Sequence, residues 1–491
     1  MLALIMAVQL CSRTQEAVSG ASSAHRPQVQ PQQQVELPID SLLRALLDTT
    51  AGGMKAADAR RGFRAAAPLR AFYGTEPAPA WTLASGNLTA DATTALALLA
   101  DTPAFGLRPT DYGVPHLMAL SDSLALAAPL PGRTSRQARF DIELSDAVLR
   151  FMLDLYRGRL RPYGLSPREK RAKRAFDAAA ALRAALAGHQ LKSAVLACQP
   201  PNREYRQLQA ALAQRLHQPP PGDTSAQWPA QYQQIALNLE RWRWEPIPDS
   251  EYVLINLPAF ALQVVRARRV VQQHRVIIGK AETPTPTLSS AIRYFTTAPD
   301  WHVPRSIALK EILPELRKDA GYLARNNMAL YDQRGRILDP NRINWKQVTP
   351  GNFFYSIRQS SGCDNALGNI VFRFDNPYSI YLHDTPYREL FTQPGRAMSS
   401  HGCIRLEKPL QLAAYLLRRD GRPVRLPSEE AFAGQLQSKD YILRRPIPLY
   451  VRYATCAAEA GELKFYADSY GRDRALCRAL FPAAAKAGSP M

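Results

Sequence analysis

The chain has 491 residues, with 62 Lys and Arg against 42 Asp and Glu and a formal charge of +20. A hydrophobic fraction of 46% with 21% charged residues excludes wholesale disorder, and a prior of roughly 150 residues per domain points to two or three domains. The positive field favours an anionic partner. Zinc-finger spacing, an RNP block and a basic helix interleaved with aromatics are all missing, so nucleic acid is not expected. An acidic wall polymer or an anionic membrane surface fits, as does a basic soluble surface with no special partner.

Residues 1–24 begin with an apolar run, Met1 to Leu10, and pass into Ala21-Ser-Ser-Ala24, which reads as a secretory signal lacking a basic start. Cys11 follows Val8-Gln-Leu10, a poor lipoprotein box, and is expected to leave with the signal. No later stretch is apolar enough to span a membrane. Residues 25–36, rich in Pro and Gln, read as an unfolded leader.

From 37 to 217 the period is helical. Leu144, Val148, Phe151, Met152 and Leu155 share one face, and Gly158 stands at its stop. Ala178 to Ala187 is a second helix closed by Gly188, and Leu208, Leu212 and Leu216 form another stripe. His116, His189 and His217 are scattered and read as surface residues. Residues 218–237, opening on Pro219-Pro-Pro-Gly222, read as a linker.

Residues 238–480 form a second domain, followed by a tail at 481–491. The period there switches to two, with strands at Tyr252 to Leu257, Leu262 to Val265 and Val276 to Ile278. Residues 298–367 are irregular and long for an insertion inside a sheet. After Cys403 a helix runs from Leu410 to Gly421, and strands are expected at Leu449 to Tyr453 and Leu463 to Tyr466. The expected class is α+β.

The chemistry concentrates between His383 and Arg405, in H-D-T-P-Y-R-E-L-F-T-Q-P-G-R-A-M-S-S-H-G-C-I-R. A thiol attacks a carbonyl as thiolate, which calls for a base within hydrogen-bond reach and preorganised N–H donors for the oxyanion. Cys403 follows Gly402, and both His383 and His401 are on offer as base. A base in reach would lower the thiol's pKa. The backbone N–H groups of Gly402 and Cys403, with the Tyr381 hydroxyl, are candidate oxyanion donors. Asp384 can orient His383 or cap the Asp-Thr-Pro turn. Arg405 can fork onto a substrate carboxylate or pair with a local acid. No zinc spacing is present, and neither metal nor cofactor is expected. Cys456 and Cys477 are candidates for a disulfide in an exported chain, as are Cys198 and Cys363.

This string, with a His well before a Ser400-His-Gly-Cys403 block and a polar residue two places later, resembles the signature of the YkuD family of L,D-transpeptidases. Asn238 to Trp244, Ile277 to Lys280, Trp301 to Ile307, Arg325 to Asn327 and Asn365 to Gly368 are similar to blocks of its large periplasmic subgroup. The resemblance is strong over 238–475 and weaker over 40–215. It implies an N-terminal scaffold domain and a β-rich catalytic domain whose insertion at about 298–367 caps the substrate groove, with Trp301 and Tyr322 lining it. It also implies Cys403 as nucleophile, His383 as base oriented by the main-chain carbonyl of Asp384, and supporting roles for His401 and Ser400. The subgroup's usual peptidoglycan-binding helical module has no room here. The implied substrates are peptidoglycan stem peptides, with carbapenems as inhibitors and the periplasm as location. The implied reaction links two diaminopimelate residues through a cysteine thioester. An L,D-carboxypeptidase, a transferase anchoring proteins to the wall, and a silent wall-binding scaffold remain as alternatives.

Overall fold

The computed structural model describes residues 37–49, 63–125, 132–160, 176–219, 226–362, 364–393, 398–422, 424–428, 431 and 437–482. The expected signal, leader and most of the tail, together with Cys11 and Cys363, lie outside these residues.

The N-terminal half is helical around one long element, α1 (Arg133–Arg157). Its apolar stripe, including Leu144, Val148, Phe151, Met152 and Leu155, is buried in a core shared with Leu69, Trp81, Leu99 and Leu182. A polar centre is folded into that core. Asp141 accepts the Tyr73 hydroxyl at 2.6 Å and the Trp81 N–H at 2.9 Å, and Ser145 accepts the Trp81 indole at 2.7 Å. Each buried polar atom there has a partner, as burial requires. The helix stops at Gly158, whose φ of 76° suits glycine and whose N–H bonds the Asp154 carbonyl.

Two further helices join this half to the next: α2 (Arg203–His217) and α3 (Trp228–Trp244). Part of the expected linker, from Trp228 onward, is therefore helix. The proline-rich composition misled because Pro229 sits in the first turn, where a missing N–H costs nothing. Within α3, Glu240 and Arg243 are both 0% exposed and pair at 3.2 Å. Glu240 also accepts the Leu160 N–H at 2.6 Å and the Trp244 indole at 3.0 Å. Arg243 donates to the Phe105 carbonyl at 2.5 Å and to the Tyr205 hydroxyl at 3.1 Å. The approach is tight. A side chain at Gly106, where φ is +68°, would place its Cβ 2.7 Å from the Ala236 Cα. On its other side α3 grips the second half: Asn238 bonds the Thr455 hydroxyl and N–H at 2.9 Å each, and Gln234 bonds the Thr455 carbonyl at 2.8 Å.

The second half is a mixed nine-stranded sheet. Its first four strands are β1 (Glu251–Asn256), β2 (Ala261–Arg266), β3 (Arg269–Gly279) and β4 (Leu288–Thr297). An inserted cap then supplies β5 (Trp301–His302), β6 (Met328–Tyr331), β7 (Ile337–Leu338) and β8 (Ser356–Gln359), which form their own four-stranded sheet. The main sheet resumes with β9 (Ile370–Phe374), β10 (Leu382–His383), β11 (Met398–Ser400) and β12 (Ile404–Leu406). Helix α4 (Pro409–Arg419), strand β13 (Lys439–Arg452), the hairpin of β14 (Cys456–Glu459) with β15 (Glu462–Phe465), and α5 (Asp473–Leu480) complete it.

The strand order is β11-β3-β12-β10-β9-β4-β13-β1-β2, and β3 also pairs with β2, so the sheet closes on itself. Strand β1 is buried on both faces, which explains its unbroken apolar run. Val253 and Ile255 face the sheet's own core with Leu412 and Leu416 of α4, while Tyr252 and Leu254 face the junction core with Leu208, Ile235 and Trp242.

The cap carries a small core of its own, including Ile312, Leu316, Leu330, Phe353 and Ile357. Its helical stretch is three joined pieces, with a π-helical turn at Ala308–Ile312 between Arg305–Ile307 and Leu313–Lys318. The expected pairing of Cys456 with Cys477 is not formed, since both thiols are free. Cys456 is fully buried in the junction core, where it serves as a small apolar side chain.

Removing one partner of the buried α3 pair strands the other charge. Arg243→Met is expected to destabilise the fold by about 3–5 kcal/mol in urea unfolding. Arg243→Met/Glu240→Gln should recover part of that loss, because a neutral Gln still accepts from Leu160 and Trp244.

Candidate active site

The site is built on two short parallel strands, β10 and β12, in register with Leu382 opposite Ile404 and His383 opposite Arg405. Leu382, Ile404 and Leu406 are buried in the sheet's core. The two-residue period therefore sends His383 and Arg405 to the other face. Cys403 lies one residue ahead of β12, and the Ile404 N–H donates to the Tyr381 carbonyl at 2.9 Å, tying the cysteine's flank to the strand that carries His383.

The turn at Gly402 has φ of +113°, which disfavours any other residue. Side chains clamp it from both directions. The Ser400 hydroxyl donates to the Cys403 carbonyl and accepts the Gly402 N–H at 3.2 Å. The Thr285 hydroxyl donates to the Gly402 carbonyl at 2.9 Å and accepts the Gly279 N–H at 2.9 Å, and the Tyr470 hydroxyl donates to the Gly279 carbonyl at 2.8 Å. The Gly402 N–H is thus already engaged by Ser400, whereas the Tyr381 backbone N–H is directed at the Cys403 thiol. Thr285 and Tyr470 carried no sequence signal, being remote from the motif.

His383 is 5% exposed. Its Nδ1–H donates to the Asp384 main-chain carbonyl at 2.5 Å, which leaves Nε2 as the proton acceptor. Burial, followed by the positive charge of Arg405, lowers its pKa to about 4, against the opposing pull of the Asp384 and Leu367 carbonyls. It is a neutral imidazole at neutral pH. The Asp384 carboxylate is not its orienter. It accepts the Asn369 N–H at 2.9 Å and pairs with Arg388 at 3.3 Å.

Burial pushes the Cys403 thiol up, and the Tyr381 N–H, Arg405 and Arg373 oppose it. This corrects the expectation of a depressed thiol. Among the described residues no hydrogen bond joins Cys403 to His383, so the pair rests as thiol and imidazole. Proton transfer is left to the moment of attack, when such contacts shorten.

His401 looks elsewhere. Its Nε2 meets Glu311, on the cap's π-helical turn, at 2.7 Å. Tyr322 packs against the cap's own core, and Trp301 sits half-buried where β5 pairs with β8. Arg405 has no acidic partner among the described residues, and its buried Nε has no hydrogen bond. Arg373, which the sequence reading missed, stands over the Tyr381 ring at 4.7 Å. Among the described residues no cluster of His, Cys, Asp and Glu could hold a metal, and no helix is long and apolar enough to cross a membrane.

Comparison with known proteins bears on this strand-rich domain with its closed sheet and its motif. Residues 250–426 match the model of the L,D-transpeptidase catalytic domain, YkuD, and residues 67–212 match that of the Scaffold domain. A Haemophilus influenzae protein named "Putative L,D-transpeptidase" is 34% identical over 248 residues, which cover 49% of this chain and 48% of that protein. The match thus spans about half the length of that curated relative. Residues 250–426 thus form a YkuD-type L,D-transpeptidase catalytic domain, with a Scaffold domain ahead of it at 67–212.

Two outcomes follow from the titrating groups. Iodoacetamide capture of Cys403 should accelerate steadily as pH rises into the alkaline range, and His383→Ala should slow it at neutral pH on the order of ten-fold, with His401→Ala nearly silent. Equal slowing by both would move the base to His401. Secondly, unfolding lets His383 return to its ordinary value of 6.5, so the unfolded chain binds a proton that the folded one refuses. The stability this contributes is complete above pH 6.5 and is lost as pH falls toward 4. The loss amounts to about 3 kcal/mol. Melts at pH 7 and pH 4.5 should show His383→Gln with a visibly flatter dependence, the remainder including His274, which burial also holds low.

Proposed function

We propose that the protein is an exported peptidoglycan L,D-transpeptidase that works through a Cys403 thioester. The observation that carries the reading is the β10–β12 register, which sets a buried neutral His383 beside Arg405 on the face that flanks Cys403. Cys403 Sγ attacks the carbonyl at the L-centre of diaminopimelate in a donor stem, and its proton passes to His383 Nε2. The amide C–N bond breaks, and His383 gives that proton to the departing D-alanine amine. A side-chain amine of a second stem then attacks the thioester. Its proton goes to His383 and on to the released thiolate. The Cys403 N–H, the Tyr381 N–H and the Arg405 charge are the groups at hand for the negative oxygen.

The competing outcome is hydrolysis, in which water replaces the amine. The His401–Glu311 contact ties the cap to the nucleophile's loop, and a cap held over the thioester favours the amine by excluding water. This supports cross-linking over carboxypeptidase activity. The periplasm is the matching compartment, because the substrate lies there.

Intact-mass analysis with a disaccharide tetrapeptide should reveal an adduct equal to the substrate less one alanine, and a carbapenem should leave a lasting adduct. Both should vanish in Cys403→Ala, and adding His383→Ala should cost no more, since the two act as one unit. A cross-linked dimer among the products supports transpeptidation, and free tripeptide alone supports the carboxypeptidase. Folded protein with a titratable Cys403 that forms neither adduct would sink the enzymatic reading.

A further inference from the structure

Arginine is abundant here, and across the catalytic domain it is commonly neutralised by a nearby carboxylate. Arg275 pairs with Glu407 at 2.6 Å, Arg419 with Glu251 at 2.6 Å and Arg452 with Glu245 at 3.0 Å. The two guanidiniums whose charge reaches Cys403, those of Arg405 and Arg373, have no carboxylate partner among the described residues. A partly buried cation without a counter-charge is costly. A ligand carboxylate is the natural complement.

The sheet fixes where Arg373 stands. It lies opposite Tyr294 on β4 and one position past the Phe372–Leu382 pair of the β9–β10 ladder, which brings it level with Tyr381. Tyr381 in turn is tied to the flank of Cys403 through Ile404. Arg373, Tyr381 and Cys403 therefore occupy one level of three neighbouring chain segments, and two strand spacings put Arg373 about 10 Å from the nucleophile. The Tyr381 ring, 4.7 Å away, holds the guanidinium flat and leaves its N–H edges open for a planar acid. Arg373 also lies near β5 of the cap. His302 on β5 feels its charge together with those of Arg358 and Asp300.

We propose that Arg373 is a substrate-binding residue that selects acyl donors carrying a free carboxylate at the far end of the diaminopimelate side chain. The proposal rests on the acyl-transfer reading of Cys403. Two of a donor stem's carboxylates lie at different distances from the bond that breaks. The one on the departing D-alanine is close and falls to Arg405, beside Cys403. The other lies a side-chain length away and matches the distance of Arg373. A carboxamide at that far position keeps the shape but cannot accept the charged fork.

The test compares two tetrapeptide donors, one with the far carboxylate free and one with it amidated, by the rate of acyl-enzyme formation. Wild type should favour the free acid through a lower KM, on the order of ten-fold. In Arg373→Gln the KM for the free acid should rise to that of the amide, with kcat and the amide donor little changed, and Arg373→Lys should recover part of the preference. Iodoacetamide capture of Cys403 should slow modestly in Arg373→Gln, which loses a charge favouring the thiolate, and stay near wild type in Arg373→Lys. Equal losses on both donors, or an unchanged preference in Arg373→Gln, would overturn the assignment. Wild type that acylates equally with the two donors overturns the selection alone. Wild type whose thiol is alkylated but which takes neither donor overturns the acyl-transfer reading and this proposal with it.

Discussion

The junction of the two halves depends on a charge pair that sees no water. Glu240 and Arg243 sit on one turn of α3 with 0% exposure, and each is satisfied from a different part of the scaffold: Leu160 for the acid, Phe105 and Tyr205 for the base. A pair of this kind adds little net stability over apolar residues of the same shape, because desolvation cancels most of the attraction. What it imposes is geometry. Any rotation of α3 against the scaffold would pull both charges away from the Leu160, Phe105 and Tyr205 groups that satisfy them in the core, and the opposite side of the same helix holds Thr455, next to β13 and β14. The scaffold's angle to the catalytic sheet is thereby set by polar bonds, with apolar packing filling around them.

The site inherits a similar strictness from the sheet. Leu382 and Ile404 must face the core, and the alternation of strands then leaves no choice about where His383 and Arg405 point. A slip of one residue would turn both polar groups into the apolar core and turn Leu382 and Ile404 out of it. The Gly402 turn breaks this regular backbone beside the nucleophile position, and Ser400 and Thr285 hold the break in place.

Much of this was legible in the sequence for a physical reason. The helical stripe of α1, the alternating strands and the His383 to Arg405 string are local patterns, and local patterns survive without knowledge of the fold. The orientation of His383 by a main-chain carbonyl was implied by the family resemblance alone, since the residues left the Asp384 side chain open as an alternative. Arg373, Thr285 and Tyr470 were not legible, because each reaches the site through pairing of strands or packing of a distant loop. The start of α3 was hidden by composition: prolines that break a helix in its middle are harmless in its first turn. The thiol's direction of shift was missed for another reason. Spacing names the partners of a cysteine, but burial is a property of the folded whole.

The cap enters and leaves the sheet at one point. It departs after Thr297 and returns before Ile370, and those two residues face each other across the β4–β9 ladder, with the Ala298 N–H bonded to the Asn369 carbonyl to close the neck. In topological terms the cap is an overgrown hairpin loop. The entropy of closing such a loop grows only with the logarithm of its length, so lengthening, shortening or replacing it asks almost nothing of the strands beneath. Its small independent core lets it vary as a unit. A scaffold that fixes angles rigidly thus carries an insertion whose shape is nearly free to change, which makes it the part of such a chain that can diverge with the least disturbance to the rest.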